Sequence, residues 1–167
     1  MSGHPVRFVL LLILLCLALA ACENGLAPET ATGPPPKPYG IRGVIRFLHW
    51  PPADSVLDLR LAVLEHYPVA SIVTEVIQGR AKYTDQIRYG IDSEQYSLSL
   101  APLPTGSFPF VGVAQQYGSN IQQDWRVVGI YFAGNDSSKP GSVVVPVDSM
   151  VPNINITVDF AHPPVLP

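Results

Sequence analysis

Between residues 115 and 125 the chain concentrates carboxamides and aromatic rings: Gln115, Gln116, Tyr117, Asn120, Gln122, Gln123 and Trp125. Rings stack on the apolar faces of sugars or peptides while amides hydrogen-bond their polar edges, so this mixture suits recognition. Gln115, Gln116, Tyr117 and Trp125 make up the candidate ligand surface. The same composition also fits a packed tryptophan flanked by loop-capping amides. Trp50, Tyr67 and Tyr131 fall near other strand ends and extend the aromatic theme.

Bond-making chemistry has less to work with. There is no G-x-S-x-G, no H-E-x-x-H and no phosphate-binding loop. His49, His66 and His162 are scattered, and no spacing ties them into a triad with serine and aspartate or into a close ligand pair. The expectation is a protein that is not an enzyme, with no catalytic residue, no metal site and no cofactor. Asn135-Asp136-Ser137 offers oxygen ligands suited to calcium, but the same tripeptide is ordinary turn chemistry.

The most specific chemistry lies near the start. Arg7 precedes an unbroken apolar run from Phe8 to Ala21, which is short for a bilayer span and fits a secretory signal. The run ends Leu19-Ala20-Ala21-Cys22, and this stretch resembles the lipobox of bacterial lipoproteins at each of its four positions. The resemblance implies diacylglycerol on the Cys22 sulfur, cleavage between Ala21 and Cys22, and acylation of the new amine. One acyl chain holds a membrane weakly and two or three hold it firmly, at about 0.8 kcal/mol per buried CH2. The chain has two cysteines; Cys16 falls within the leader, so the exported part is expected to contain no disulfide. Glu23 follows the cysteine where enteric lipoproteins kept in the inner membrane tend to have aspartate. In a Gram-negative organism using that rule, the resemblance implies the outer membrane.

These features divide the chain into a signal peptide over 1–21, a lipidated cysteine and proline-rich tether over 22–39, a domain over 40–162 and a proline-rich tail over 163–167. The tether holds Pro28, Pro34, Pro35, Pro36 and Pro38 with almost no large apolar side chain, so it stays extended. Formal net charge is −3, and removal of the leader takes away Arg7 alone. A mildly acidic domain lacks the basic footprint of a nucleic-acid binder. The expected contacts are therefore the membrane, through lipid on Cys22, and an envelope protein or glycan.

Period-two alternation marks the domain as β-rich. Ile41, Gly43, Ile45 and Phe47 share one strand face, and Leu57, Leu59, Leu61 and Val63 another. Further strands are expected at Ile87–Ile91, Tyr96–Leu100, Phe108–Ala114, Trp125–Phe132, Val143–Val147 and Ile154–Phe160, with Asp92-Ser93-Glu94 as a turn. Pro109 suggests a sheet edge or a position whose N–H would face outward. Ser71–Gln78 has helical spacing, with Ser71 as cap and Gly79 as stop, although its β-branched residues also suit a strand. Seven or eight short strands with at most one short helix predict an all-β, antiparallel sandwich.

Gly43-Val44-Ile45, Asp58-Leu59-Arg60-Leu61-Ala62-Val63, and Tyr96-Ser97-Leu98-Ser99-Leu100 leading into Leu103-Pro104-Thr105-Gly106-Ser107-Phe108 resemble the carboxypeptidase-regulatory-like, or transthyretin-like, sandwich. The likeness covers about residues 40–118, including Val111-Gly112-Val113-Ala114. It implies a module that binds, braces or spaces. Hydrolases of the urate pathway share the transthyretin-like fold, but their Tyr-Arg-Gly-Ser ending is absent here, where the chain closes Ala161-His162-Pro163-Pro164-Val165-Leu166-Pro167. The expected function is thus a lipid-anchored cell-envelope lipoprotein with a non-catalytic binding or structural module. The alternatives are a carbohydrate-binding accessory lipoprotein and, behind it, a transthyretin-like hydrolase.

Overall fold

The structure, a computed structural model, describes residues 38–104, 106–134 and 138–165. The Leu19–Cys22 motif, the tether up to residue 37 and the Asn135-Asp136-Ser137 tripeptide lie outside the described residues, and the lipidation, cleavage and calcium readings lie there with them.

The described chain is all-β apart from one short helix and a single 3-10 turn at Ala53–Ser55. Its strands are β1 (Gly40–Leu48), β2 (Asp58–Leu64), β3 (Ala81–Tyr83), β4 (Ser93–Ser99) and β5 (Gly106–Phe108). They continue as β6 (Phe110–Gln116), β7 (Trp125–Ile130), β8 (Val143–Val145), β9 (Met150–Val151) and β10 (Ile156–Asp159), and the helix is α1 (Ile72–Ile77). One sheet runs β3-β2-β6-β7-β10-β1-β4, with β9 beside the start of β1, while β5 pairs with β8 alone.

The sheet is mixed, which corrects the antiparallel expectation. β1 runs parallel to β10, from Ile45 opposite Ile156 to Leu48 opposite Asp159, and parallel to β9 at Gly40 and Ile41. The last described strand therefore enters between β7 and β1 and pairs with the first. Ile41 and Ile45 of β1, Leu59, Leu61 and Val63 of β2, Leu98 of β4 and Val111 and Val113 of β6 all meet in one core. Strands distant in the sheet order can share that core because the sheet curls upon itself.

The alternation in β1, β2, β4 and β6 translates into this core, since successive side chains point to opposite faces. Ile87–Ile91 does not form a strand: Ile87 is buried and its N–H donates to Leu59 O at 2.8 Å, but Tyr89 is exposed. Asp92-Ser93-Glu94 is not a free turn either, because β4 begins at Ser93. Pro109 does not mark an edge. It separates β5 from β6 where the chain leaves the small sheet for the large one, and β6 is flanked on both sides by β2 and β7. A missing N–H at that crossing removes no ladder hydrogen bond.

Gly43 permits a close approach that any side chain would block. A Cβ there would collide with the backbone carbonyl of Ile154. That carbonyl also accepts the Tyr96 hydroxyl at 2.6 Å, and burial pushes the Tyr96 phenol further up, keeping it protonated as the donor.

Helix α1 forms as the sequence predicts. The Ser71 hydroxyl accepts the Thr74 N–H at 3.4 Å, and Gly79 ends the turn at φ +73°, a conformation that favours glycine. The helix covers the outer sheet face, where Ile72 and Val76 pack against a second cluster of Leu64, Ala81, Phe110 and Ile130. Its buried carboxylate, Glu75, accepts Arg80 Nε at 2.9 Å and Nη2 at 2.7 Å. The Arg80 hydrogen bonds hold the Glu75 carboxyl below its ordinary value, against the opposing effect of desolvation. Because the folded value is the lower one, this stabilisation is present above pH 4.5 and is lost as pH falls through the folded value. In urea unfolding, wild type should exceed Glu75→Gln in stability at neutral pH, and the gap should shrink on acidification below 4.5. A gap independent of pH would show that the charge of Glu75 contributes nothing.

Candidate functional site

The outer face of β2, β6 and β7 is built from small residues beside large ones. Ala62 and Ala114 leave a shallow floor between Trp125, Tyr83 and the side of α1. The resulting groove, of about 240 Å³, is largely apolar and includes Arg60, Val76 and Ile121 in its walls. A larger cavity of about 560 Å³ adjoins it, bounded by Tyr67, Ser71, Phe110, Gln122, Gln123 and Val127 among others. Trp125 and Ile72 border both spaces. The Trp125 indole N–H donates to Ile121 O at 2.9 Å, which fixes the ring against its own loop. In the cavity wall, the Tyr67 hydroxyl is shielded from solvent and has no hydrogen-bond partner among the described residues. The Arg60 guanidinium lies 5.4 Å from the Tyr83 ring centre, and its Nε donates to Asp58 Oδ2 at 2.8 Å.

The structure divides the candidate surface predicted from sequence. Gln115 is fully buried: its amide nitrogen donates to Ser55 O at 2.6 Å, and its oxygen accepts Arg126 Nε at 2.9 Å. Gln116 is buried too, donating to Gly118 O at 2.9 Å. Neither amide is offered to a ligand, so both leave the candidate surface. Tyr117 is exposed, and the Arg126 guanidinium sits 5.7 Å from its ring centre. Trp125 lies opposite Gln116 in register, whereas Arg126 lies opposite Gln115. Alternation therefore sends Trp125 to the groove face and groups Gln115, Arg126 and Tyr117 away from it. Of the four residues, Trp125 alone lines the groove. Gln122 and Gln123 border the larger cavity on the other side of Trp125.

A second constellation appears where the sequence suggests none. Leu48 lies opposite Asp159 at the matching ends of the parallel strands β1 and β10, and Phe160 N–H donates to Leu48 O at 3.1 Å. The next residue, His49, adopts φ +55°, and its Nδ1 lies 2.7 Å from Asp159 Oδ1. His162 Nδ1 lies 3.1 Å from Asp159 Oδ2, and Ala161 N–H donates to Oδ1 at 3.0 Å. The hydrogen bond from His49, then those from His162 and the Ala161 N–H, bring the Asp159 carboxyl down to about 2 against the opposing effect of burial. One ligand-type atom from each of the three side chains lies within 4.8 Å of the others. The expectation that the histidines lack a close pairing is thereby corrected for His49 and His162. His66 stands apart, 3.8 Å from Glu75.

An aromatic clasp holds the strand ends that carry these groups. The Trp50 ring centre lies 4.7 Å from that of Phe160, 5.0 Å from Phe47 and 4.9 Å from Tyr89. The Trp50 indole N–H donates to Ile91 O at 2.9 Å, and the Tyr89 hydroxyl to Pro51 O at 2.7 Å. Sequence reasoning missed the histidine pair because partner choice between distant strands is not local. The one legible signal was that His49 directly follows the end of β1 and His162 stands three residues past the end of β10.

Comparison with protein-family models, curated proteins and solved structures finds no match to the chain.

Proposed function

We propose that this chain is a lipid-anchored cell-envelope lipoprotein whose all-β domain serves as a non-catalytic binding module. The Leu19-Ala20-Ala21-Cys22 sequence supports the anchor, and the proline-rich stretch after it supports a spacer that sets the domain off the membrane. In a Gram-negative cell the destination is the outer membrane. The likeness to transthyretin-like sandwiches belongs to the same reading and fits the all-β class.

The observation that carries the binding role is the cavity beside Trp125. It combines an indole wall with the amides of Gln122 and Gln123 and the hydroxyl-bearing residues Ser71 and Tyr67. This combination favours a carbohydrate as the ligand: an aromatic face takes the apolar side of a sugar ring, and short polar groups take its hydroxyls.

Two variants test the two halves separately. Trp125→Ala is expected to lower glycan-array binding about tenfold, the loss that follows from one stacking contact, with the domain still folded by circular dichroism. Unchanged glycan binding in that variant would remove the cavity from the reading. Cys22→Ser is expected to shift the protein from the detergent phase to the aqueous phase. Retention in detergent would remove the anchor.

A further inference from the structure

We propose that His49, His162 and Asp159 form a binding site for a divalent transition-metal ion of the zinc class. Two imidazoles and one carboxylate are a donor set that zinc accepts readily, with a fourth position left for water or an exogenous ligand. The three side chains already converge, with Nδ1 of His49 and of His162 at 2.7 and 3.1 Å from the two oxygens of Asp159. Metal–ligand bonds of about 2.0–2.2 Å separate adjacent donors by about 3.3 Å in a tetrahedron. Admitting an ion therefore asks the shorter contact to open by roughly half an ångström. Both histidines can accommodate this, because their side chains are 62% and 81% exposed. Each ring then carries its proton on Nε2 and presents the Nδ1 lone pair to the ion.

The site is built rather than accidental in two respects. The carboxylate is fixed by the Ala161 N–H as well as by the rings, so one donor is already oriented. The strand ends beneath it are locked by the parallel register of β1 and β10 and by the packing of Trp50 on Phe160. Asp159 and His162 also border a cavity of about 230 Å³, with Thr157 and Lys139 in its wall, which gives an exogenous ligand room beside the ion. This site is independent of the groove at Trp125.

The test uses the full chain, purified in detergent, stripped with chelator and with its thiols alkylated. His4 and His66 are replaced by alanine so that only His49 and His162 remain. Titration with zinc chloride by calorimetry should show one saturable equivalent. Proton NMR of the same sample should show the ring signals of both remaining histidines moving together. His162→Ala and His49→Asn, the latter chosen because asparagine tolerates the left-handed backbone, should each weaken binding by at least about tenfold, since losing a ligand costs no less than losing a group that orients one. Circular dichroism of the metal-free variants should match the parent. Absence of a saturable equivalent in the parent, or affinity unchanged in both variants, would overturn the proposal.

Discussion

Replacing Phe110 by alanine is expected to remove about 3–5 kcal/mol of stability, near the upper range for a single core truncation. The ring is 1% exposed and stacks on Tyr67 with centres 5.1 Å apart. It also lies over Gly112, filling the space where a side chain at that position would sit. Removing it leaves the central strand β6 without its outward anchor, and it takes away the surface on which Tyr67 and the cluster beneath α1 rest. A domain of this size should lose at least roughly 10 °C in thermal midpoint. Phe110→Leu keeps most of the volume and should cost less than half as much. Thermal and urea unfolding followed by circular dichroism measure both. Equal stability of the alanine variant and wild type would mean that the outer cluster contributes nothing. The larger cavity beside Trp125, which Phe110 lines, should widen in the alanine variant, so a ligand that depends on its shape should bind more weakly.

Trp50→Ala should be the second large effect, at about 2–4 kcal/mol, reduced from the cost of a fully buried tryptophan because the ring is only partly covered. Trp50 touches three other rings and ties the end of β1 to Ile91 through its indole N–H. Its loss should loosen the ends of β1 and β10 while the core around Leu61 and Val113 persists. Hydrogen exchange should therefore accelerate at Phe160 N–H, which donates to Leu48, before it does at the β2–β6 ladder. Uniform acceleration across the sheet would show that the clasp has no local role. The same variant should weaken zinc binding, since His49 and Asp159 stand on the loosened ends.

Local signals carried the class of this fold. Alternation at Ile41–Phe47 and Leu59–Val63 located β1 and β2, and capping chemistry at Ser71 and Gly79 located α1 despite the β-branched residues between them. The three residues of β3 are too few to express a period, so that strand was invisible. Ile87, Tyr89 and Ile91 expressed a period without gaining a partner strand, and the backbone there instead meets β2 through a single N–H of Ile87. The parallel pairing of β1 with β10 depends on how residues more than a hundred apart come together, and no local pattern encodes it. The same gap hid the histidine pair. The division of Gln115–Trp125 was legible in principle, because strict alternation sends neighbours to opposite faces. A dense run of rings and amides was read as one surface when the sheet shows it as two.

The placement of β1 also has a mechanical consequence. The first strand of the described residues is an interior strand, hydrogen-bonded to β4 on one side and to β10 and β9 on the other. Tension drawn between its leading end and the trailing end of β10 pulls two parallel neighbours in opposite directions. Their interstrand hydrogen bonds then bear the load together and fail by shear, instead of opening one after another like a zipper.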